Sequence, residues 1–326
     1  MCTAISFNAK GHFFGRTLDL ERRFGECVTI TPRNYVFKFK TGEVIKNHHA
    51  IIGMAAIVED YPLYFDATNE HGLSIAGLNF VGNAYYGKAN EQKINLAPYE
   101  LIPYLLSKYK CVDECICALK EINLVDAQFN KNLENGQLHW LISDKNKSIV
   151  VECMRDGTKI HQNPVGVLTN NPPFEYQMMN LNNYMGLSNI DPQNKFSDKI
   201  ILKKYSRGMG ALGLPGDFSS ASRFVRVAFA KLNSVNPLSE NESISQFFHI
   251  LGTVEQVEGC VIFDNRFERT QYTSCCDTER GIYYYKTYEN SQISAINMYR
   301  ENLDIHNLIC YDLIFTEQIK YINRRE

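Results

Sequence analysis

The sequence predicts an α+β protein. Three observations carry that reading. Short runs with strand character fill the first 80 residues, helical spacing of apolar residues starts only near Pro98, and strands resume from about Gly259. Sheets and helices therefore come in blocks, whereas a doubly wound parallel sheet would alternate them.

The first block holds the runs "TAISFNA", "CVTITP", "YVFKFK" and "IIGMAAIV", split by the turn signals "AKGH", "TPRN" and "KTGE". That is the pattern of antiparallel sheet. "LYFDATNEHGLSIAGLNF" then reads as two strands around an Asn-Glu-His-Gly turn. "PYELIPYLLSKY" and "VDECICALKEI" carry apolar residues three and four apart, so they form two helices with a short connection. "LHWLISD", "SIVVECM" and "VGVLTNN" return to strand, and helices follow in "FEYQMMNLNNYM", "SSASRFVRVAFAKL" and "SISQFFHILGTV". "RGIYYYKTYE" and "QISAINMY" belong to the last strand block. No stretch of linker composition and no internal repeat divides the chain, so residues 2–326 are expected to form one large domain.

Charge and cysteine use exclude whole classes of function. Lys and Arg number 34 against 36 Asp and Glu, a net charge of −2, so nothing calls for a nucleic acid or a membrane surface as partner. No run approaches the ~18 apolar residues of a membrane span, and the first residues lack the basic patch and apolar run of a signal peptide. The expectation is a cytoplasmic protein whose ten cysteines stay reduced. Cys111, Cys115 and Cys117 lie close together, as do Cys275 and Cys276, but neither group has the paired C-x2-C spacing of a zinc site. No metal is predicted.

The second residue is the unusual one. Cys2 is either a small apolar residue opening a strand or, once Met1 is removed, a thiol and a free α-amine on one residue. A small side chain at position two permits that removal. The amine titrates at about 7.7–8.0 and the thiol at about 8.5, so near neutrality the amine can serve as base for its own thiol. Such a site needs a cation for the thiolate, a group to hold the amine, and donors for an oxyanion. "FFGRTLDL" offers Arg16 and Asp19 in a segment that would fold back on the first strand through the "NAKGH" turn. Taken alone, the two would form an ordinary surface ion pair.

"MCTAISF", "FGRTLDL", "GLNF", "LHWLISD", "GVLTNNPPF", "GLPGDFSSASRFVR" and "QYTSC", in that order, resemble the choloylglycine hydrolase family of N-terminal nucleophile amidases. The family includes bile salt hydrolases and penicillin V acylases, and the resemblance covers nearly the whole chain. It implies a four-layer αββα sandwich, a homotetramer, and no metal or organic cofactor. By position it implies Cys2 as nucleophile, Arg16 as the arginine at the thiol and Asp19 as the aspartate holding the α-amine. Asn79 (through its backbone N–H) and Asn170 (through its side chain) become the oxyanion donors, with Arg223 as a second arginine. Read without the resemblance, Asn79 and Asn170 are turn formers, Arg223 is a snorkelling helix residue, and His139 is a strand residue at the surface or core edge.

The same resemblance implies a conjugated bile salt as substrate, because Asn at position 79 is common in the bile salt enzymes and Tyr in the penicillin acylases. The alternative is penicillin V or an N-acyl homoserine lactone, cleaved by the same residues. The segment "VDAQFNKNLENGQLHW" resembles a substrate-lining loop and offers Phe129, Leu133 and Leu138; Leu18, Phe24, Val58 and Phe65 complete the expected pocket. For each of these, plain core packing is the competing role. Arg22 and Arg23 stand where less basic residues are common, and one of them is expected to attract the anionic glycine or taurine end.

Overall fold

The computed structural model describes residues 1–323. The predicted domain's end at position 326 lies outside the described residues. Two antiparallel sheets face one another. In the first, strand β1 (Cys2–Ala9) pairs with β2 (Gly11–Leu20), which pairs with strand Arg266–Asp277; Ile282–Thr287 and Ser294–Asn297 continue outward. The two-residue strand Val167–Leu168 lies on the other side of β1. In the second sheet, Ser74–Asn79 sits between Leu138–Ser143 and Tyr61–Asn69, followed by Ile51–Val58, β3 (Glu26–Thr31) and Ile309–Asp312.

Period-two alternation explains how the layers stack. Ala76, Leu78, Leu141 and Val150 enter a core shared with the first sheet. Their sequence neighbours Ile75, Trp140, Ile142, Ile149 and Val151 enter a second core beneath helices α1 (Leu101–Lys108) and α2 (Val112–Leu119). On the far side, α4 (Ser220–Asn233) and α5 (Glu240–Gly252) pack on β1 and β2. A strand buried on both faces needs apolar residues at successive positions, which is what Ile51-Ile52 and Ile149-Val150-Val151 provide. The order is helix, sheet, sheet, helix: an αββα sandwich, as the resemblance implied.

Two predicted strands are shorter than their patterns. "YVFKFK" contributes only Phe37–Lys38, paired with Val44–Ile45, because the aromatic rings of Phe37 and Phe39 are stacked into the second core. "GVLTNN" contributes only Val167–Leu168. From Thr169 the chain leaves the ladder for side-chain partners and leads into α3 (Phe174–Leu181).

Close backbone approach fixes the site's frame. A side chain at Gly15 would place its Cβ 2.1 Å from the Ser274 carbonyl oxygen, so only glycine lets β2 lie this near strand Arg266–Asp277. A register shift between Thr270 and Tyr272 puts Thr270 opposite Asp19 and Tyr272 opposite Leu18. Ser219 caps α4, its Oγ accepting from Ser222 N, which holds Arg223 in the first turn.

Candidate active site

The β1–β2 hairpin brings the first three predicted residues together. Cys2 lies opposite Leu18 and Ala4 opposite Arg16, so Cys2 and Arg16 share one face of the hairpin. The Cys2 backbone N donates to Asn170 Oδ1 at 2.7 Å, and Cys2 itself is buried. The Met1 ammonium donates to the Glu268 carboxylate and to the Asp19 carbonyl oxygen. Asp19's own carboxylate accepts from Thr17 Oγ1 at 2.9 Å and Thr270 Oγ1 at 2.6 Å. Burial pushes the Asp19 carboxyl up, opposed by the N-terminal ammonium, Arg223 and the two threonines.

Arg16 is 1% exposed, an expensive place for a guanidinium. It donates to the carbonyl oxygens of Phe65 (3.0 Å), Gly77 (2.5 Å) and Thr17 (3.3 Å), so it stitches β2 to the second sheet. Burial pulls its proton affinity down, but Cys2, Tyr272, Asp66 and Asp19 outweigh that and the net shift is upward. Asp66 is the nearby buried counter-charge. It accepts from Tyr283 Oη at 2.6 Å, Tyr272 Oη at 2.8 Å and Ser274 Oγ at 3.1 Å, and Ser274 Oγ in turn accepts from the Arg16 backbone N–H. Burial pushes the Asp66 carboxyl up, while Arg16 and the three hydroxyls pull it back.

Asn170 is the junction of the other half. Its Oδ1 accepts from Cys2 N and from Arg223 Nη2 (2.8 Å), while its Nδ2 donates to the Asn79 carbonyl oxygen at 2.8 Å. The side chain of one predicted oxyanion donor is thereby tied to the backbone of the other. Arg223, fully buried, also reaches the Cys2 carbonyl oxygen and Thr3 Oγ1 and braces itself on Phe218 O at 3.0 Å. Burial pulls the Arg223 guanidinium's proton affinity down, against Asp19, Cys2 and Glu268.

The Asn170 loop is held from below by His139, which is fully buried rather than at the surface or core edge as its strand pattern suggested. Its Nε2 faces the Thr169 carbonyl oxygen at 2.8 Å, and its Nδ1 faces Glu152 Oε1 at 3.1 Å. That carboxylate oxygen also accepts from Phe174 N, the first residue of α3. The His139 ring stacks on Phe80, with centroids 4.3 Å apart. Glu152 therefore caps the helix after the loop while His139 fixes the loop's start. Alternation assigned His139 to a strand but said nothing of Thr169, thirty residues on.

Cys2 and Arg16 line a cavity of about 540 Å³, within the size range of small-molecule sites. All seven predicted pocket residues line it: Leu18, Val58 and Phe65 from strands or their ends, Phe24 from the segment after β2, and Phe129, Leu133 and Leu138 from the loop and its exit. Phe24 and Phe65 face each other with centroids 5.9 Å apart. The two arginines that the sequence treated together are separated. Arg22 lines the cavity with its guanidinium 4.9 Å from the Phe24 ring centre. Arg23 instead pairs with Glu289 and lies 3.7 Å over the Phe315 ring, so it does not line the cavity.

Sequence reasoning missed Asp66, Glu268, Thr270, Glu152 and the part played by His139. Asp66 had a signal: a carboxylate inside the strand run "LYFDAT" is a charge that must find partners. Glu268 and Thr270 had none, because their partners are brought up by a strand some 250 positions away.

A cysteine opening a buried strand of an αββα sandwich, its backbone bonded by Asn170 and Arg223 and its neighbourhood holding buried Arg16 and Asp19, fits the class of N-terminal nucleophile amidohydrolases. Within that class the chain belongs to the choloylglycine hydrolase family of linear amide C–N hydrolases, which residues 2–311 match. It is 53% identical over 324 residues to a bile salt hydrolase/transferase of Lactiplantibacillus plantarum, covering 99% of this chain and 100% of that one. A bile salt hydrolase/transferase of Clostridium perfringens is 40% identical over 330 residues, with the same coverage. The solved conjugated bile acid hydrolase from Clostridium perfringens, in a C2A variant, superposes with a TM-score of 0.92 at 40% identity, covering 99% of this chain and 100% of that one. The penicillin V acylase of Agrobacterium tumefaciens shares the fold, with a TM-score of 0.77 at 19% identity over 95% of this chain and 91% of its own.

Proposed function

We propose that this protein is a conjugated bile salt hydrolase, cleaving the amide between a steroid acid and glycine or taurine. The observation that carries the reading is Cys2 beside the Arg16 guanidinium in a cavity walled by Leu18, Phe65, Phe129 and Leu133. The apolar walls suit a steroid face, each Å² of apolar area removed from water contributing about 25 cal/mol.

With Met1 removed, the α-amine of Cys2 sits where its nitrogen is now held by Asn170 Oδ1. In the reading that follows, the thiol proton passes to that amine and sulfur attacks the amide carbonyl carbon. The carbonyl electrons move to oxygen, where the Asn79 N–H and the Asn170 side chain receive the charge; one such donor is worth about 10²–10³ in rate. Collapse breaks the C–N bond, and the α-ammonium returns its proton to the departing amine. Water, deprotonated by the same amine, then opens the thioester and restores the thiol. Asp19 orients the amine, Arg16 favours the thiolate, and Arg223 keeps Asn170 aimed. The route uses no metal or cofactor. Two relatives are named hydrolase/transferase, and an amine taking the water's place would give that second outcome.

Assembly as a homotetramer and a cytoplasmic location complete the proposal. Supporting assembly, the segment between α3 and α4 lays Met185, Phe196, Ile201 and Tyr205 on the surface, each more than 80% exposed. Supporting the location, no helix among the described residues is long and apolar enough to cross a membrane, and all ten cysteines are unpaired.

Side-by-side hydrolysis of taurocholate, glycocholate and penicillin V tests the substrate. Faster turnover of either bile conjugate is expected; preference for penicillin V, or for an N-acyl homoserine lactone added as a fourth substrate, would overturn it.

A further inference from the structure

The turn Asn69-Glu70-His71-Gly72, at the end of strand Tyr61–Asn69 remote from the cavity, carries chemistry that amide cleavage leaves unused. Ile51 pairs with Asn69, so one and two positions beyond the ladder Ala50 meets Glu70 and His49 meets His71. The Glu70 N–H to Ala50 O bond, 2.9 Å, carries the register into the turn. The two histidines are thus a cross-strand pair. Their rings stand nearly perpendicular with centroids 4.2 Å apart, and His71 Nε2 lies 3.0 Å from His49 Nδ1. A Glu70 carboxylate oxygen lies within 4.8 Å of a ring nitrogen of each histidine.

The backbone that carries them is held firmly. Asn69 is fully buried; its Oδ1 accepts from the His71 and Leu73 N–H groups, and its Nδ2 donates to the carbonyls of Leu106 and Tyr109 at the end of α1. Gly72 takes φ +85°, which the tight turn needs and only glycine adopts freely. His49 N donates to the Ser107 carbonyl oxygen. Two imidazole nitrogens on rigid supports face one another, yet in a hydrogen bond only one can offer a lone pair. A divalent cation between them uses both.

We propose that His49 and His71, with Glu70 as third donor, form a site for a borderline divalent cation of the zinc type. Zinc–nitrogen bonds of about 2.0–2.1 Å at a tetrahedral angle separate two nitrogens by about 3.3 Å and the ring centres by about 5 Å, so from 4.2 Å the two rings turn outward by a rotation about their side-chain bonds as the ion enters. Both Glu70 carboxylate oxygens accept from Arg33 Nε at 3.1 Å, one also from Arg33 Nη2 at 2.6 Å and the other from Ala50 N at 2.9 Å, so binding a cation gives up one of these bonds while Arg33 keeps its Nη1 bond to Asp304 at 2.9 Å. The site clamps the turn to the start of strand Ile51–Val58 and takes no part in the chemistry at Cys2.

Calorimetric titration of the metal-free protein with Zn²⁺ tests this. One saturable site is expected. Its affinity should fall at least about tenfold in His71→Ala and in His49→Gln, because even the outer partners of metal ligands are worth 10–100-fold. Glu70→Gln should weaken it less. Co²⁺ in place of Zn²⁺ should give visible absorption without a thiolate charge-transfer band. Unchanged affinity in both histidine variants overturns the proposal, as does a thiolate band that disappears on replacing the exposed Cys117 or Cys260. His71 is exposed on a turn, so its variant keeps the fold.

Discussion

The β1–β2 hairpin carries a buried polar network at each end, and only one resembles a reaction centre. At the open end Cys2, Arg16 and Asp19 meet Asn170, Arg223 and Asp66. At the turn end Ser6 Oγ lies 2.9 Å from His12 Nε2, and His12 Nδ1 lies 2.8 Å from Thr278 Oγ1. Ser6 also accepts from Ser143 Oγ at 2.7 Å and borders a cleft of about 500 Å³. A serine beside a histidine is a familiar nucleophile–base pair, so proximity and a cleft do not separate the two ends. Charge does. Burial pushes His12 down to about 4, so its imidazole is neutral at working pH, and the charges that act on it are the Asp144 carboxylate and the Lys231 ammonium, with no buried guanidinium among the described residues there. The open end places two buried guanidinium groups within electrostatic reach of Cys2, Arg223 bonding its carbonyl oxygen. A network that only supports the fold can keep its imidazole neutral; one built to move a proton and hold an anion keeps charge ready.

The sharpest way to break that contrast is Cys2→Ala, expected to lower hydrolysis by more than about 10³-fold with no change in thermal midpoint. Ser6→Ala should leave turnover near wild type in the same assay; equal losses from the two would erase the distinction.

Asp66→Asn removes the nearby counter-charge of Arg16 and leaves a guanidinium with too little compensation in the core. A loss of about 3–5 kcal/mol is expected from denaturant unfolding. A loss below about 1 kcal/mol would mean that Cys2 and the carbonyl oxygens neutralise Arg16 sufficiently.

At the turn end the effect depends on pH. His12 has a folded pKa of about 4 against 6.5 unfolded, so below 6.5 the unfolded chain binds the extra proton. Stability from this group is complete above pH 6.5 and declines by roughly 3 kcal/mol as pH falls to about 4. His12→Gln should flatten that limb of the stability–pH curve and leave activity at pH 7 unaltered.

His139→Gln tests whether the open end depends on support from below. Loss of the Glu152–His139–Thr169 link should lower kcat by about 10²-fold with KM little changed, because it displaces Asn170 rather than the cavity walls. A change confined to KM would place its influence in substrate binding. Smallest is the rim: Arg22→Ala should raise KM for the conjugates a few-fold, an effect that added salt suppresses, whereas Arg23→Ala should not. Comparable kinetics for both variants and wild type would remove any part for Arg22 in attracting the anionic end.

Most strands were legible because period two is a local property, and Arg16 and Asp19 were legible because one hairpin turn returns them to Cys2. The seven pocket residues came from resemblance; composition gave no reason to prefer Phe129 or Leu133 over other apolar residues. Asp66, Glu152 and Thr270 lay beyond reach since sheet-on-sheet packing and a register shift decide their partners. Arg22 and Arg23 looked equivalent because they are adjacent and alike in charge, and only the surrounding Phe24, Glu289 and Phe315 distinguish them in the bend after β2.

The contacts of Met1 with Glu268 and the Asp19 carbonyl impose an order of events in the cell. Once β1 has docked, the first amine is engaged by a carboxylate and a carbonyl that an aminopeptidase would have to displace. Where catalysis runs through the freed α-amine of Cys2, as proposed, trimming competes with folding, and a chain that folds before it is trimmed is packed but inert. Under heavy expression the protein should separate into two populations of equal melting behaviour, and the mass-resolved fraction that retains methionine should equal the fraction silent to active-site titration. Specific activity would then measure how promptly the chain was trimmed as well as how well the enzyme works.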